Sequence, residues 1–143
     1  MLREGPIPAV VHGAWEYSVA LLFVAAPFLF GFDGGTTIAV CIVSGLIMLA
    51  FTASSDLPTG LVKQIKPPIH ATVDLVLALV LVAAPFFFGF RTQESGALAL
   101  FIVVGVAHLL ITIGTRFPLP PPSAEGRWRG FGRGGGRSDA VEP

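Results

Sequence analysis

The sequence has few charged residues and a single cysteine. Charged residues make up 13% of the 143-residue chain, about half the share that is usual in soluble domains. Because Cys41 is the only cysteine, the chain cannot form an internal disulfide. There is also no phosphate-binding loop, no nucleophile–base pair at a useful spacing and no cysteine metal motif. We therefore expect neither an enzyme nor a protein that depends on a cofactor.

The residues that are present are mainly apolar, and they lie in long uncharged runs. Apolar residues make up 53% of the chain. Charges are absent from residues 17–32, 34–55, 75–90 and 95–115. A bilayer core of about 30 Å is crossed by about 20 helical residues. The sequence therefore predicts an all-α membrane protein with four transmembrane helices, at about 9–32, 36–53, 69–90 and 96–115.

An internal repeat organises the chain. The phrase VAAPFLFGF at 24–32 returns as VAAPFFFGF at 82–90, which sets an offset of 58 residues between the copies. Each copy is a helical hairpin that returns the chain to its starting side. Both copies therefore have the same orientation and are related by a pseudo-twofold axis along the membrane normal. The predicted organisation is a lead at 1–11, repeat 1 at 12–58, a connection at 59–68, repeat 2 at 69–118 and a disordered Pro-, Gly- and Arg-rich tail at 119–143.

The repeated phrase is interpreted as the hinge that ends the first helix of each hairpin. Proline lacks an N–H group and loosens the helix at Pro27 and Pro85. Glycine follows four residues later, at Gly31 and Gly89, and lets the chain leave the helix. A ligand pocket at this phrase is the less favoured alternative.

The same phrase resembles the signature of the SPW-repeat membrane proteins of bacteria. Members of that family carry Ser-Pro-Trp in the first helix of a two-helix repeat. Here residues 26–28 and 84–86 both read Ala-Pro-Phe, so proline is kept in both copies whereas serine and tryptophan are kept in neither. The Gly-Phe that follows, and the His and acidic residue that precede, also resemble the family over about residues 12–118. The resemblance implies a small integral membrane protein without an established biochemical activity.

Basic residues are concentrated on one side of the predicted bundle. Eight of the nine Lys and Arg residues fall on the side of the termini, and only Arg91 falls on the other. By the positive-inside rule, both termini and the central connection are expected in the cytoplasm. Together with the resemblance, this predicts a multi-pass protein of the bacterial inner membrane, with the lipid bilayer as its main partner.

The predicted tail carries arginines among glycines and aromatic residues. They are Arg127, Arg129, Arg133 and Arg137. Close to the membrane, each can contribute about 1 kcal/mol of attraction to anionic lipid. We expect a solvated tail with weak lipid contact, and RNA binding through the same residue types is the less favoured alternative.

Two matched pairs of polar residues lie near the start of the first helix of each repeat. His12 and Glu16 are four residues apart, as are His70 and Asp74, so each pair lies on one helix face. Alanines continue both faces one turn later, and small residues favour close helix packing in lipid. The pairs are therefore predicted to point into the bundle, in its cytoplasmic half.

The favoured interpretation of the pairs is structural, with each pair forming a local hydrogen bond that fixes the start and the packing of its helix. Proton coupling or pH sensing is one alternative, because histidine changes its charge near neutral pH. A second alternative is a divalent metal shared across the pseudo-twofold axis by His12, Glu16, His70 and Asp74. The favoured interpretation contains no metal site.

The third histidine, His108, has no counterpart, because Met48 stands at its place in repeat 1. Its depth in the membrane predicts Asp74 or Glu16 as its neighbour. An ionisable residue inside a membrane helix is a candidate for function. His108 therefore joins the two pairs as a candidate polar cluster.

Taken together, these features favour an integral membrane protein with a structural or accessory role. The alternative from another class is a small proton- or metal-linked transporter or channel, or a pH sensor, that uses the polar cluster. Four helices are few for a complete pathway, so transport would need a homo-oligomer. Transport predicts a polar cavity that reaches the cluster, whereas a structural role predicts a dry, closed bundle.

Overall fold

The structure is a computed structural model, and it describes residues 5–117. Its long helices are, in chain order, α1 (Ala9–Phe30), α2 (Gly35–Ala53), α3 (Pro67–Phe87) and α4 (Ser95–Gly114). Each has 19 to 22 residues and is long and apolar enough to cross a membrane. The predicted all-α membrane fold of four helices is confirmed. The predicted tail, with its four arginines, lies outside the described residues.

The helix boundaries lie within three residues of those predicted. Helix α3 begins at Pro67, two residues earlier than predicted, because proline fits the first turn of a helix, where its missing N–H would have no partner. Helices α1 and α3 end at Phe30 and Phe87, two and three residues earlier than predicted. The predicted turn at 33–35 is also shorter, since Gly35 already belongs to α2.

In both copies of the repeated phrase, a left-handed glycine follows the first helix. Gly31 adopts a left-handed conformation with φ of 65°, and Gly89 does so with φ of 78°. In repeat 1 the Pro27 carbonyl accepts the Phe32 N–H at 3.0 Å. In repeat 2 the Pro85 carbonyl accepts the Arg91 N–H at 3.2 Å. Each proline lies inside its helix, and its carbonyl accepts a hydrogen bond from a backbone N–H in the turn that follows.

Within each hairpin, a glycine lets the two helices approach closely. A Cβ atom at Gly45 of α2 would lie 2.6 Å from the Ala20 carbonyl oxygen of α1. At the equivalent position of repeat 2, a Cβ at Gly105 would lie 3.1 Å from the Ala78 carbonyl oxygen. Small residues at such crossings allow backbones to pack in lipid without intervening side chains.

Between the two hairpins the backbones approach less closely than they do within each hairpin. Aromatic side chains fill this space in the middle of the bundle, where Phe23 of α1 meets Phe101 of α4 edge to face with ring centroids 4.9 Å apart. Within repeat 2, Phe90 packs against the same Phe101 ring at 5.4 Å. The hairpins are thus joined by side chains more than by backbone contact.

Short parallel β-pairings link the repeats at one end of the bundle, which we call the termini end. Strand β1 (Ile7–Pro8) pairs with β2 (Thr115–Arg116). The second pairing is a bridge between Ser55 and Ile65. Ile7 and Ile65 are equivalent in the repeat, as are Ser55 and Thr115. The end of each repeat therefore pairs with the start of the other, as a pseudo-twofold axis requires.

The outer faces of the helices carry large exposed apolar side chains. Phe28 and Phe87 lie at the opposite end, which we call the turn end because it contains both hairpin turns, and they are 76% and 84% exposed. Contiguous apolar surface of this kind is rare in soluble monomers. The outer faces are therefore suited to contact lipid. Most of the buried polar side chains lie in the interior of the bundle at the termini end.

Candidate functional site

Five ionisable side chains meet inside the bundle at the termini end. Helix α1 contributes His12 and Glu16, α3 contributes His70 and Asp74, and α4 contributes His108. All five are completely buried, at 0% exposure. The four-residue spacing puts each pair on one helix face, and the pseudo-twofold arrangement turns the two faces towards each other. We call these five residues the His–acid cluster.

Each paired histidine is anchored on its outer side by a hydroxyl group at the end of the other repeat's hairpin. His12 Nδ1 lies 3.0 Å from Thr115 Oγ1, and His70 Nδ1 bonds to Ser55 Oγ. Both hydroxyls donate to the carbonyl one helical turn back, at 2.6 Å and 2.8 Å. Because the hydroxyl protons are used in this way, the oxygens accept, and Nδ1–H of each histidine donates.

The opposite ring nitrogens, Nε2, face the two carboxylates. Asp74 Oδ2 lies 3.1 Å from Nε2 of His12 and 3.0 Å from Nε2 of His70. Glu16 presents one oxygen to each histidine, at 3.5 Å from His12 and 3.3 Å from His70. Of these four approaches, the one between His12 and Asp74 is aligned as a hydrogen bond. That bond crosses between the repeats, whereas the sequence predicted a local bond within each pair.

Several cluster atoms have no hydrogen-bond partner among residues 5–117. They are both oxygens of Glu16, Oδ1 of Asp74, Nε2 of His70 and both ring nitrogens of His108. His70 Nε2 is close enough to Asp74 for a hydrogen bond, but the two groups are poorly aligned. Buried polar groups are usually hydrogen-bonded, so ionisable atoms unpartnered in such number require a further partner, such as water or an ion.

His108 lies beside Asp74, with its Nε2 3.9 Å from Asp74 Oδ1. Its ring is tilted against that of His12 with centroids 6.0 Å apart. The structure therefore brings His108 into the cluster, next to one of the two neighbours that its depth predicts. A functional role for His108 stays a prediction.

Apolar side chains cover the cluster towards the termini end. The ring of Phe117 lies 5.2 Å from that of His12 and 6.0 Å from that of His70. Phe51 stacks on His70 with centroids 5.2 Å apart. Leu57, which is equivalent to Phe117 in the repeat, is also buried there. We call Phe51, Leu57 and Phe117 the apolar cover. These side chains lie between the cluster and the outside of the bundle at the termini end.

Sequence reasoning did not identify the hydroxyl anchors or the apolar cover. Ser55 and Thr115 follow the last turns of α2 and α4, where hydroxyl residues are common and carry no special pattern. The repeat does contain a usable signal, because the two residues occupy equivalent positions. Both repeats contain a His and an acidic residue four positions apart, and both contain a hydroxyl residue at the same place. This recurrence could have identified the two hydroxyls as partners of the histidines.

The cluster has the composition of a cation site. Ligand atoms from His12, Glu16, His70 and Asp74 all lie within 4.8 Å of one another. Imidazole and carboxylate together suit divalent transition metals. The same groups can also form a buried network of ion pairs, in which carboxylates and protonated histidines neutralise one another.

The turn end contains a cleft of about 790 Å³ between the two hairpin turns. Gly31, Asp33 and Glu94 are among its lining residues. Glu94 crosses between the turns, since its Oε1 accepts the Gly34 N–H at 2.7 Å. The cleft lies at the opposite end of the helices from the His–acid cluster, and Gly31 is the hinge residue that reaches it. The hinge residues therefore take no part in the cluster.

Comparison with known proteins gives one family assignment. No curated protein and no solved structure matches the chain. The family model described as the SPW repeat domain matches residues 10–115. That match spans both hairpins, all five cluster residues and the Thr115 anchor. With four membrane-spanning helices arranged as two hairpins, this chain is an integral membrane protein that belongs to the SPW-repeat family.

Proposed function

We propose that the protein has a structural or accessory role in the membrane, in which the His–acid cluster holds its two hairpins together. The observation that carries this proposal is the position of the cluster. It is completely buried, and its aligned hydrogen bond runs from His12 of one repeat to Asp74 of the other. The anchor on His12 also crosses between repeats, from α1 to the end of α4. The proposal includes no enzymatic activity.

The energetics support such a role because the hairpins share little backbone contact. A buried ion pair contributes little net stability compared with apolar packing, but removing one partner leaves an uncompensated charge and costs about 3–5 kcal/mol. The cluster therefore selects one arrangement of the hairpins over others. Sliding or rotating one hairpin would separate groups that have no substitute partners in lipid.

The location in the membrane forms part of the proposal. The excess of Lys and Arg at the termini end supports an orientation with that end in the cytoplasm. The family resemblance supports the bacterial inner membrane. In this orientation the cluster lies in the cytoplasmic half of the bilayer, with the apolar cover between it and the cytoplasm.

Transport is the competing function, and it requires water or ions to reach the cluster. The complete burial of all five side chains supports the closed bundle that a structural role predicts. An alternating-access protein would pass through other conformations, so a flux measurement decides between the two functions.

The test compares the wild type with the double variant Glu16→Gln plus Asp74→Asn in proteoliposomes and in detergent. We expect no flux of protons or divalent metal through either protein, and a clear fall in the unfolding temperature of the double variant. The measurements are ion-sensitive dyes inside the vesicles and thermal unfolding in detergent.

A matched control removes the same number of carboxylates from exposed positions, Asp33→Asn plus Asp56→Asn. This control should unfold at the wild-type temperature. A wild-type flux that the cluster variant abolishes and the control retains would replace the structural proposal by transport. An unchanged unfolding temperature in the cluster variant would remove the role of the cluster in joining the hairpins.

A further inference from the structure

The two paired histidines are oriented like metal ligands. Each donates its Nδ1–H outwards, to Thr115 or to Ser55, and turns Nε2 towards the carboxylates. Histidines that bind metals almost always donate their second ring N–H to a protein group, which fixes the ring and leaves the other nitrogen free for the metal. The pseudo-twofold arrangement repeats this orientation in both halves of the protein.

The inner atoms surround a common space, and of their four approaches only the one between His12 and Asp74 is aligned as a hydrogen bond. Neither oxygen of Glu16 accepts a hydrogen bond from the described residues, and His70 Nε2 is misaligned with Asp74. Bulk water does not reach these atoms, because the side chains of Glu16, His70 and Asp74 have at most 1% of accessible surface. A small bare ion bound between them would satisfy all of these atoms together.

The distances between the inner atoms fit a tetrahedral zinc site. With bonds of about 2.0–2.1 Å, neighbouring ligand atoms around zinc lie about 3.3 Å apart. The His-to-carboxylate separations are 3.0 and 3.1 Å to one oxygen of Asp74, and 3.3 and 3.5 Å to the two different oxygens of Glu16. One ligand atom from each of the four residues lies within 4.8 Å of the others, so the longest separation must contract by up to about 1.5 Å to form a tetrahedral shell.

The charge of the site also fits a divalent ion. Two carboxylates inside a membrane need two positive charges nearby, and a divalent metal supplies both while the histidines remain neutral. Calcium and magnesium prefer shells made of oxygen atoms. The mixture of two imidazoles and two carboxylates selects zinc and its transition-metal neighbours.

We propose that the His–acid cluster binds one divalent transition metal of the zinc class, with His12, Glu16, His70 and Asp74 as the four ligands. The proposal deepens the role given above to the cluster, because a metal on the pseudo-twofold axis would join two ligands from each hairpin. Four protein ligands and complete burial are the features of a closed, structural metal site.

Residues around the four ligands have supporting roles. Thr115 and Ser55 orient the histidines through their Nδ1–H groups. The third histidine lies outside the ligand set, since its Nε2 faces Asp74 Oδ1 at 3.9 Å, away from the oxygen shared by the other two histidines.

The test uses the full-length chain without an affinity tag, in phospholipid nanodiscs, after removal of metal by a chelator. Zn²⁺, Co²⁺ or Mg²⁺ is added separately, and the bound metal is measured by elemental analysis. We expect about one Zn²⁺ or Co²⁺ per chain and no retained Mg²⁺. Bound Co²⁺ should show the intense visible absorption of tetrahedral coordination, and X-ray absorption of the zinc form should show two imidazoles and two oxygens.

Variants assign the ligands. Asp74→Asn and His70→Gln should lose stoichiometric zinc, whereas His108→Met and the exposed control Asp33→Asn should keep it. Removal of both hydroxyl anchors, Thr115→Val with Ser55→Ala, should weaken zinc binding by about 10–100-fold, as expected for outer-shell partners of metal-binding histidines.

The X-ray absorption measurement needs no variant, so the proposal can fail even if the ligand variants do not fold. It is overturned if the folded wild type retains no zinc, if the zinc shell lacks imidazole, or if folded ligand variants bind as much zinc as the wild type. Absence of zinc together with a destabilised Glu16→Gln plus Asp74→Asn variant would leave the joining role intact. Stoichiometric zinc with an unchanged unfolding temperature in that variant would instead remove the joining role alone.

Discussion

The two repeats match in backbone but differ in what they bring to the His–acid cluster. Repeat 1 contributes Glu16 and repeat 2 contributes Asp74, which is shorter by one methylene. One oxygen of Asp74 lies within 3.1 Å of both paired histidines, whereas Glu16 divides its two oxygens between them at 3.3 and 3.5 Å. Repeat 2 alone adds a third histidine, His108.

This difference shows that equivalent positions need not be equivalent in energy. Asp74 lies at the centre of the cluster, in contact with all three histidines, and it accepts the aligned hydrogen bond. Glu16 occupies the matching position but receives no hydrogen bond from residues 5–117. The shared fold places the two carboxylates together, and side-chain length decides which of them holds the cluster.

The largest effect is expected from substituting Asp74, at the centre of the cluster. In metal-free protein, Asp74→Asn should lower the free energy of unfolding by about 3–5 kcal/mol, because two buried histidines lose their common anionic partner. Glu16→Gln should cost less, about 1–2 kcal/mol, because it removes a buried carboxylate that accepts no hydrogen bond. Reversible unfolding in mixed micelles with increasing SDS measures both values. Equal losses from the two variants would contradict the central position of Asp74.

A smaller effect is expected where glycine separates the helices within each hairpin. At Gly45 an added Cβ meets a backbone oxygen at 2.6 Å, while at Gly105 the nearest atom, at 2.7 Å, belongs to the Val82 side chain. Gly45→Ala should therefore cost about 1–3 kcal/mol of unfolding free energy through overpacking. Gly105→Ala should cost less than Gly45→Ala, because the Val82 side chain can move, the nearest backbone atoms are further away at 3.1 Å, and alanine favours the helix. The same SDS titration compares them, and a larger loss at Gly105 would show that the second hairpin is the more tightly packed.

The smallest effect is expected at His108, the cluster position where repeat 1 carries an apolar residue. His108→Met places in repeat 2 the residue that repeat 1 carries at Met48. The unfolding free energy should change by less than about 1 kcal/mol, with stabilisation the favoured sign, because two buried ring nitrogens without hydrogen-bond partners are replaced by an apolar side chain. A loss of several kcal/mol would show that His108 holds Asp74 in place.

Much of the fold could be predicted from the sequence because membrane helices follow local rules. A bilayer offers no hydrogen-bond partners, so every spanning segment must satisfy its own backbone, and apolar length alone identifies it. The repeated phrase then fixed the register of the two hairpins. The sequence predicts the start of α3 two residues late, because Pro67 and Pro68 fit a connection as well as they fit the first turn of a helix.

The candidate site was predictable as a list of residues but not as a geometry. The four-residue spacing identified His12 with Glu16 and His70 with Asp74 as faces that turn inwards. The same spacing does not predict that His12 bonds to Asp74 of the other repeat. The partner of each side chain depends on how the hairpins cross and rotate, and those quantities leave no periodic pattern in the sequence.

The sequence by itself determined the four spans, their pairing into two like-oriented hairpins and the residues able to carry charge inside the membrane. The physical reason is that helix length, apolar composition and spacing along one helix are local properties of the chain. Only the tertiary structure decided that Asp74 is the centre, that Thr115 and Ser55 hold the histidines from outside, and that four ligand atoms surround one space. Those features arise where the end of each repeat meets the start of the other, between residues up to 103 positions apart in the chain.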